Sequence, residues 1–195
     1  MKIYIAEFRK DKSFLSKMIS FFTKSNYTHT AMYMQTTKTI GYLCELTPTR
    51  DKGVFDKSIP DYHVIKYKNI NDFKTKINKT DKRIIDMFEV PIKVTPTQSK
   101  KVISWWKKKE GKSYGYFRLI SNMFLMPLYW GMKAYVKLFK KPFPQLFIFD
   151  KGSNVCSTAV DECFKSVLKH DIFPNYPERV AYPGLFAKKL KKFKV

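Results

Sequence analysis

Seven apolar residues in the last quarter of the chain recur with helical spacing around a cysteine. Val155, Ala159, Val160, Cys163, Phe164, Val167 and Leu168 stand at i, i+4, i+5, i+8, i+9, i+12 and i+13. That is the stripe of a helix lying on a core. Ser153 and Asn154 both favour N-cap positions, so Cys156 is expected in the first turn of a helix-like run to His170. The N–H groups of a first turn lack intrahelical acceptors, and the dipole favours negative charge there. Both effects lower a thiol's pKa and enlarge the thiolate population. A cysteine at a helix start is also an ordinary small buried side chain. Position alone leaves nucleophile and packing residue both open.

The length of 195 residues suits one domain, spanning 1–195, with room for a substantial core. A hydrophobic fraction of 44% with 16% aromatics excludes a disordered chain. Thirty-eight basic against sixteen acidic residues give a net charge of +22, extreme for a soluble enzyme. The excess is mostly Lys and densest at Lys188, Lys189, Lys191, Lys192 and Lys194. It fits either a solvated surface or a polyanionic partner: nucleic acid, anionic lipid or an acidic cell-wall polymer. No nucleic-acid-binding motif decides between them.

Cys44, Cys156 and Cys163 are odd in number and form no CxxC pair, which argues against a disulfide framework. They suit a reducing compartment, or thiols kept free for chemistry. Cys and His lack paired ligand spacing, so neither a metal nor another cofactor is expected. Residues Met1–Glu7 alternate and carry charge, unlike a signal peptide. The uncharged run Leu119–Met132 is too short to span a bilayer and contains Pro127 and Gly131. The expectation is a cytoplasmic or virion-associated protein whose membrane contact, if any, is peripheral.

Along the chain, Lys2–Phe8 alternates as a strand, and Ser13 caps a helix bearing Phe14, Leu15, Met18, Ile19 and Phe22, with Asn26 a helix stop. Tyr27–Met34 and Ile40–Leu46 read as a hairpin around a polar Gln35–Thr39 loop. If Met34 opposes Ile40, Ala31 opposes Leu43 and His29 falls opposite Glu45 on one face. A slip of one residue would separate the two. Thr47–Pro60 reads as a loop with a short strand at Gly53–Phe55, and Tyr62–Tyr67 as a further strand. Asn69–Lys93 is mixed; Ile84, Ile85, Met87 and Phe88 signal packing of undefined type. Thr95-Pro96-Thr97-Gln98 combines an N-cap, Pro at N1 and a capping-box Gln, opening a helix that stops at Gly111. An apolar insertion covers about 117–149, and Leu185–Leu190 ends the chain's regular structure as a short helix.

A cysteine nucleophile needs a base within hydrogen-bond reach and a group that orients the base. His170, at the far end of the Cys156 helix, lies about 20 Å off at 1.5 Å per residue. It suits a favourable C-terminal charge instead. His63 has no acid at an obvious opposing position and reads as surface or packing. His29 with Glu45 is the best pair.

Five segments carry a family resemblance. They are Phe21–Ala31, which ends at His29; Cys44-Glu45-Leu46; Gly111-Lys112-Ser113-Tyr114-Gly115-Tyr116; Val155-Cys156-Ser157-Thr158; and Tyr182-Pro183-Gly184-Leu185-Phe186. In order and spacing they resemble the permuted papain-like cysteine hydrolases of the NlpC type, in the branch with YiiX-like and lecithin:retinol acyltransferase-like proteins. There the His strand precedes the Cys helix. Thr158 and Gly115 depart from the family's common Glu and Asp.

The resemblance implies an α+β, circularly permuted papain-like domain, its antiparallel sheet packed against the Cys156 helix. It implies acyl transfer through a thioester, with Cys156 as nucleophile, His29 as base and acid, and Glu45 orienting His29. Tyr114, and Tyr27 at the start of the His29 strand, are expected at the substrate. The leading expectation is an amidase or peptidase acting on peptide bonds, cell-wall peptides included. The alternatives are a lipid-directed acyltransferase or thioesterase at an anionic membrane, and a non-catalytic basic protein associated with nucleic acid on the same fold.

Overall fold

The computed structural model describes residues 1–46, 62–80, 84–110, 112, 155–174 and 182–195. Five strands among the described residues form one antiparallel sheet: β1 (Lys2–Arg9), β2 (Tyr27–Thr37), β3 (Ile40–Leu46), β4 (Tyr62–Tyr67) and β5 (Ile85–Glu89). Their order across the sheet is β4-β3-β2-β1-β5. The helices among the described residues are α1 (Phe14–Thr23), α2 (Ile70–Thr80), α3 (Pro96–Lys108), α4 (Cys156–Ser166) and α5 (Leu185–Lys189), followed by a 3-10 turn at Lys191–Phe193. The architecture is α+β, as expected.

Alternation within the strands sorts side chains onto two buried faces. Ile3, Ile5, Met32, Met34, Cys44 and Leu46 meet Val102 and Trp106 of α3 and Ala159, Val160, Cys163 and Phe164 of α4. Tyr4, Ala6, Phe8, Ala31, Tyr33 and Leu43 form the opposite face, closed by Phe73 and Ile77 of α2. Tyr33 stacks on Phe73 with ring centroids 5.0 Å apart. A sheet covered on both sides explains why its central strands are apolar at nearly every position.

Local signals set the helix starts. Ser13 accepts the Ser16 N–H at 3.2 Å. Thr95 and Gln98 form the expected reciprocal capping box, with Pro96 in the first turn. Two helix ends differ from expectation. Lys24, rather than Asn26, takes the left-handed stop (φ 49°) and donates its N–H back to Phe21 O and Ser20 O. α4 ends at Ser166 instead of continuing to His170, and Lys169 turns left-handed (φ 54°) while the His170 N–H bonds Phe164 O at 3.1 Å. The packed residues Ile85–Phe88 belong to an edge strand that pairs with β1.

The hairpin register also differs from the one expected. Pairing runs from Thr37↔Ile40 through Tyr33↔Leu43 to Met32↔Cys44, with an irregularity between Gln35 and Thr37. The β-branched Thr36 and Thr37 extend the strand where a loop was expected, leaving only Lys38 and Thr39 between strands. The offset is therefore two residues, which preserves side-chain parity. Gly53–Phe55, Tyr114, the 117–149 insertion and the Ser153/Asn154 caps lie outside the described residues.

Candidate active site

Cys156 is the first residue of α4, and the N-cap is Val155 rather than Ser153 or Asn154. Valine has no capping oxygen. Thr158 takes over: its hydroxyl accepts the Val155 N–H at 3.0 Å and donates to Val155 O at 3.1 Å. Thr158 thus fixes the turn that carries the thiol. Cys156, Ser157 and Thr158 are all buried.

The pairing of β2 with β3 stops at Met32↔Cys44, although both strands run on. Beyond that point the Thr30 backbone N–H hydrogen-bonds the Cys156 sulfur, as does the Ser157 N–H. His29, one residue earlier on β2, hydrogen-bonds the same sulfur through its ring. The Phe8 ring, 5.0 Å away by centroid, packs against that imidazole.

Glu45 completes the set. Its Oε2 lies 3.4 Å from His29 Nε2 and its Oε1 lies 3.0 Å from His63 Nε2. The expected direct opposition of His29 and Glu45 is not found; Glu45 reaches His29 from beyond the last β2–β3 pair. Its directly opposed residue is His63 on β4, which corrects the reading of His63 as lacking an acid. A carboxylate accepting from His29 Nε2 fixes that nitrogen as the N–H, leaving Nδ1 as the basic nitrogen available to a thiol.

Burial alone would push the Cys156 thiol up. The His29 imidazole, with the Thr30 and Ser157 N–H groups, outweighs it and brings the thiol below its ordinary 9.0. Burial would likewise lower His29, but the Cys156 sulfur and Glu45 raise it above 6.5. The two shifts together favour a thiolate–imidazolium pair. The other thiols go the opposite way: burial pushes Cys163 up to about 12 and Cys44 well above its ordinary value.

Glu7 is a site residue that sequence reasoning passed over. It is fully buried, accepts the Thr30 hydroxyl at 3.0 Å and takes the Gly184 N–H on both oxygens at 3.3 Å. Burial raises it well above the usual carboxylate range, and the neighbouring Cys156 sulfur raises it further. Its signal was visible: an acid at the third inward position of a strand otherwise reading Ile3, Ile5. His63 could have been found by continuing the meander from Glu45.

Tyr27 donates its hydroxyl to Asp86 Oδ2 at 2.7 Å, inside a cluster with Arg9 (2.8 Å) and Lys194 (2.7 Å). Burial, then Asp86, pushes that phenol up to about 12. Among the described residues, no group of three or more His, Cys, Asp or Glu is arranged to hold a metal ion. No helix among them is long and apolar enough to cross a membrane. The chain matches no protein-family model and no curated protein.

Proposed function

We propose that this chain is a cysteine hydrolase cleaving amide bonds through a thioester, on a permuted papain-like domain that spans the chain. One observation carries the reading: the only thiol among the described cysteines with a lowered pKa hydrogen-bonds an imidazole that a buried carboxylate holds. The chain order, His strand before Cys helix, supports the fold assignment.

Cys156 Sγ attacks the substrate carbonyl carbon, and a C–S bond forms. The Cys156 backbone N–H, at the helix start, is the candidate donor to the developing oxyanion. His29, holding the thiol proton, delivers it to the departing amine as the C–N bond breaks. Water then attacks the thioester carbon as His29 takes its proton, the C–S bond breaks, the carboxylic acid leaves, and the thiolate–imidazolium pair is restored. Glu45 holds His29 in the productive tautomer and stabilises its charged form. The substrate class is a peptide amide, with cell-wall peptides the leading candidate.

A second reading, transfer or hydrolysis of lipid acyl groups, draws on one surface. Phe14 and Phe21 on α1 are 78% and 74% exposed, on the same face as Lys17 and with Lys24 just beyond. Exposed aromatics among lysines suit a peripheral anionic bilayer.

The test is a p-nitrophenyl ester, which any competent thiol accepts. A burst of nitrophenol, with the acyl group found on Cys156 by peptide mass spectrometry and absent in His29→Ala, is expected. Turnover without acylation at Cys156 would refute the mechanism.

A further inference from the structure

We infer that His63 is a positioning residue for the Cys156–His29 pair, acting through Glu45. The inference rests on the catalytic reading above and adds a fourth member to it.

Each oxygen of the Glu45 carboxylate faces one imidazole, and the contact to His63 (3.0 Å) is tighter than that to His29 (3.4 Å). The Glu45 side chain is only 6% exposed, so water does not readily replace a lost donor. A buried carboxylate deprived of one of its donors shifts toward its neutral form. A neutral Glu45 no longer stabilises an imidazolium at His29, and the thiolate loses its counter-ion. His63 therefore keeps Glu45 charged and fixes the plane in which Oε2 meets His29.

The pairing geometry is built for this. Glu45 and His63 are directly opposed on β3 and β4, where side chains leave the sheet side by side. His63 Nδ1 is buried without a hydrogen-bond partner among the described residues. The bond to Glu45 is then what sets its tautomer, with Nε2 as the N–H. Among the described residues, the titratable groups that meet this carboxylate include His29 from β2 and His63 from β4. Through His29 it acts on Cys156 of α4, and Glu7 of β1 acts on that thiol separately.

The experiment measures the rate of Cys156 alkylation by iodoacetamide as a function of pH. It compares the wild type with His63→Phe, His63→Gln and, as a control, His29→Ala. His63→Phe keeps a ring without a donor, whereas His63→Gln keeps an N–H that can reach Glu45. The expected result is alkylation slowed about tenfold at neutral pH in His63→Phe, its profile displaced by about one unit to higher pH, and most of the rate recovered in His63→Gln. Should the phenylalanine variant not fold, His63→Asn, whose donor falls short of Glu45, replaces it. If His29→Ala slows alkylation while the donor-less His63 variant leaves rate and profile unchanged, the inference fails and the catalytic reading stands. An equal loss in His63→Gln also overturns it, because the effect would then be structural. Unchanged alkylation in His29→Ala would instead overturn the catalytic reading.

Discussion

At the scale of single residues, the site sets three thiols on different courses by their neighbours. At Cys163 and Cys44 burial is the largest influence and disfavours the thiolate, prevailing at Cys163 over the Trp106 and Lys109 groups that oppose it; Cys156 has an imidazole and two N–H donors that overcome it. Helix position suggested the Cys156 shift, but the Thr30 donor was not legible, because it depends on where β2 parts from β3. Glu7 makes its own prediction. Its folded value is raised above 4.5, so the folded state holds a proton that the unfolded chain releases. Its contribution to stability is full below about pH 4.5 and declines as pH rises toward the folded value. Glu7→Gln is expected to flatten that decline in urea titrations across mildly acidic to neutral pH. A slope identical to wild type would show that Glu7 is ionised in the fold.

At the scale of elements, the sequence specified which strands and helices exist better than how they register. The cores of β1 to β4 and of α1, α3, α4 and α5, the Ser13 cap and the Thr95 capping box were readable because each rests on local chemistry; α2 and β5 were not, because the charged stretch from Asn69 to Lys93 carries no clear period. The β2–β3 register was not, because a bulge between Gln35 and Thr37 adds a displacement that alternation does not encode. Parity survived the two-residue offset, so His29 and Glu45 still share a face. Two anchors hold the site's borders.

Gly184, at φ 88°, is the N-cap of α5 and donates its N–H to Glu7; a Cβ there would overlap Ser25 Oγ. Gly184→Ala is expected to destabilise by about 2 kcal/mol in denaturant unfolding, combining left-handed strain with that overlap. A change within error would show that the turn relaxes freely. Asp86 ties Arg9, Tyr27 and Lys194 together, which clips the C-terminal residues to β5 beside the Val195–Met87 bond (3.0 Å). Burial opposes its ionisation, but those three donors pull it down to about 2. The stability it contributes is present above the ordinary 3.8 and is lost as pH falls from about 4 to about 2. Since Arg9 and Lys194 are half exposed, about 1 kcal/mol is at stake. Asp86→Asn should remove that acid-limb dependence in thermal melts.

At the scale of the whole molecule, a charge of +22 leaves the protein with a long-range attraction to anions whatever its chemistry. The sequence announced that attraction without naming its object; the apolar run first considered for membrane contact lies outside the described residues. The α1 face gives the lipid reading a test of its own. Phe14→Ser with Phe21→Ser should release the protein from phosphatidylserine vesicles while leaving circular dichroism unchanged. Vesicle binding that persists would assign the attraction to lysines alone, and binding only to an oligonucleotide would favour a nucleic-acid partner. The central claim, however, concerns convergence: segments around residues 29, 45 and 156 meet to make one reactive thiol. The most direct measurement is the rate of iodoacetamide labelling at each cysteine of the folded protein near neutral pH, read by peptide mass spectrometry. Cys156 should label fast and slow at least tenfold in His29→Ala, with Cys163 and Cys44 inert in both. Equal labelling of Cys156 and Cys163, or no effect of His29→Ala, would contradict the account.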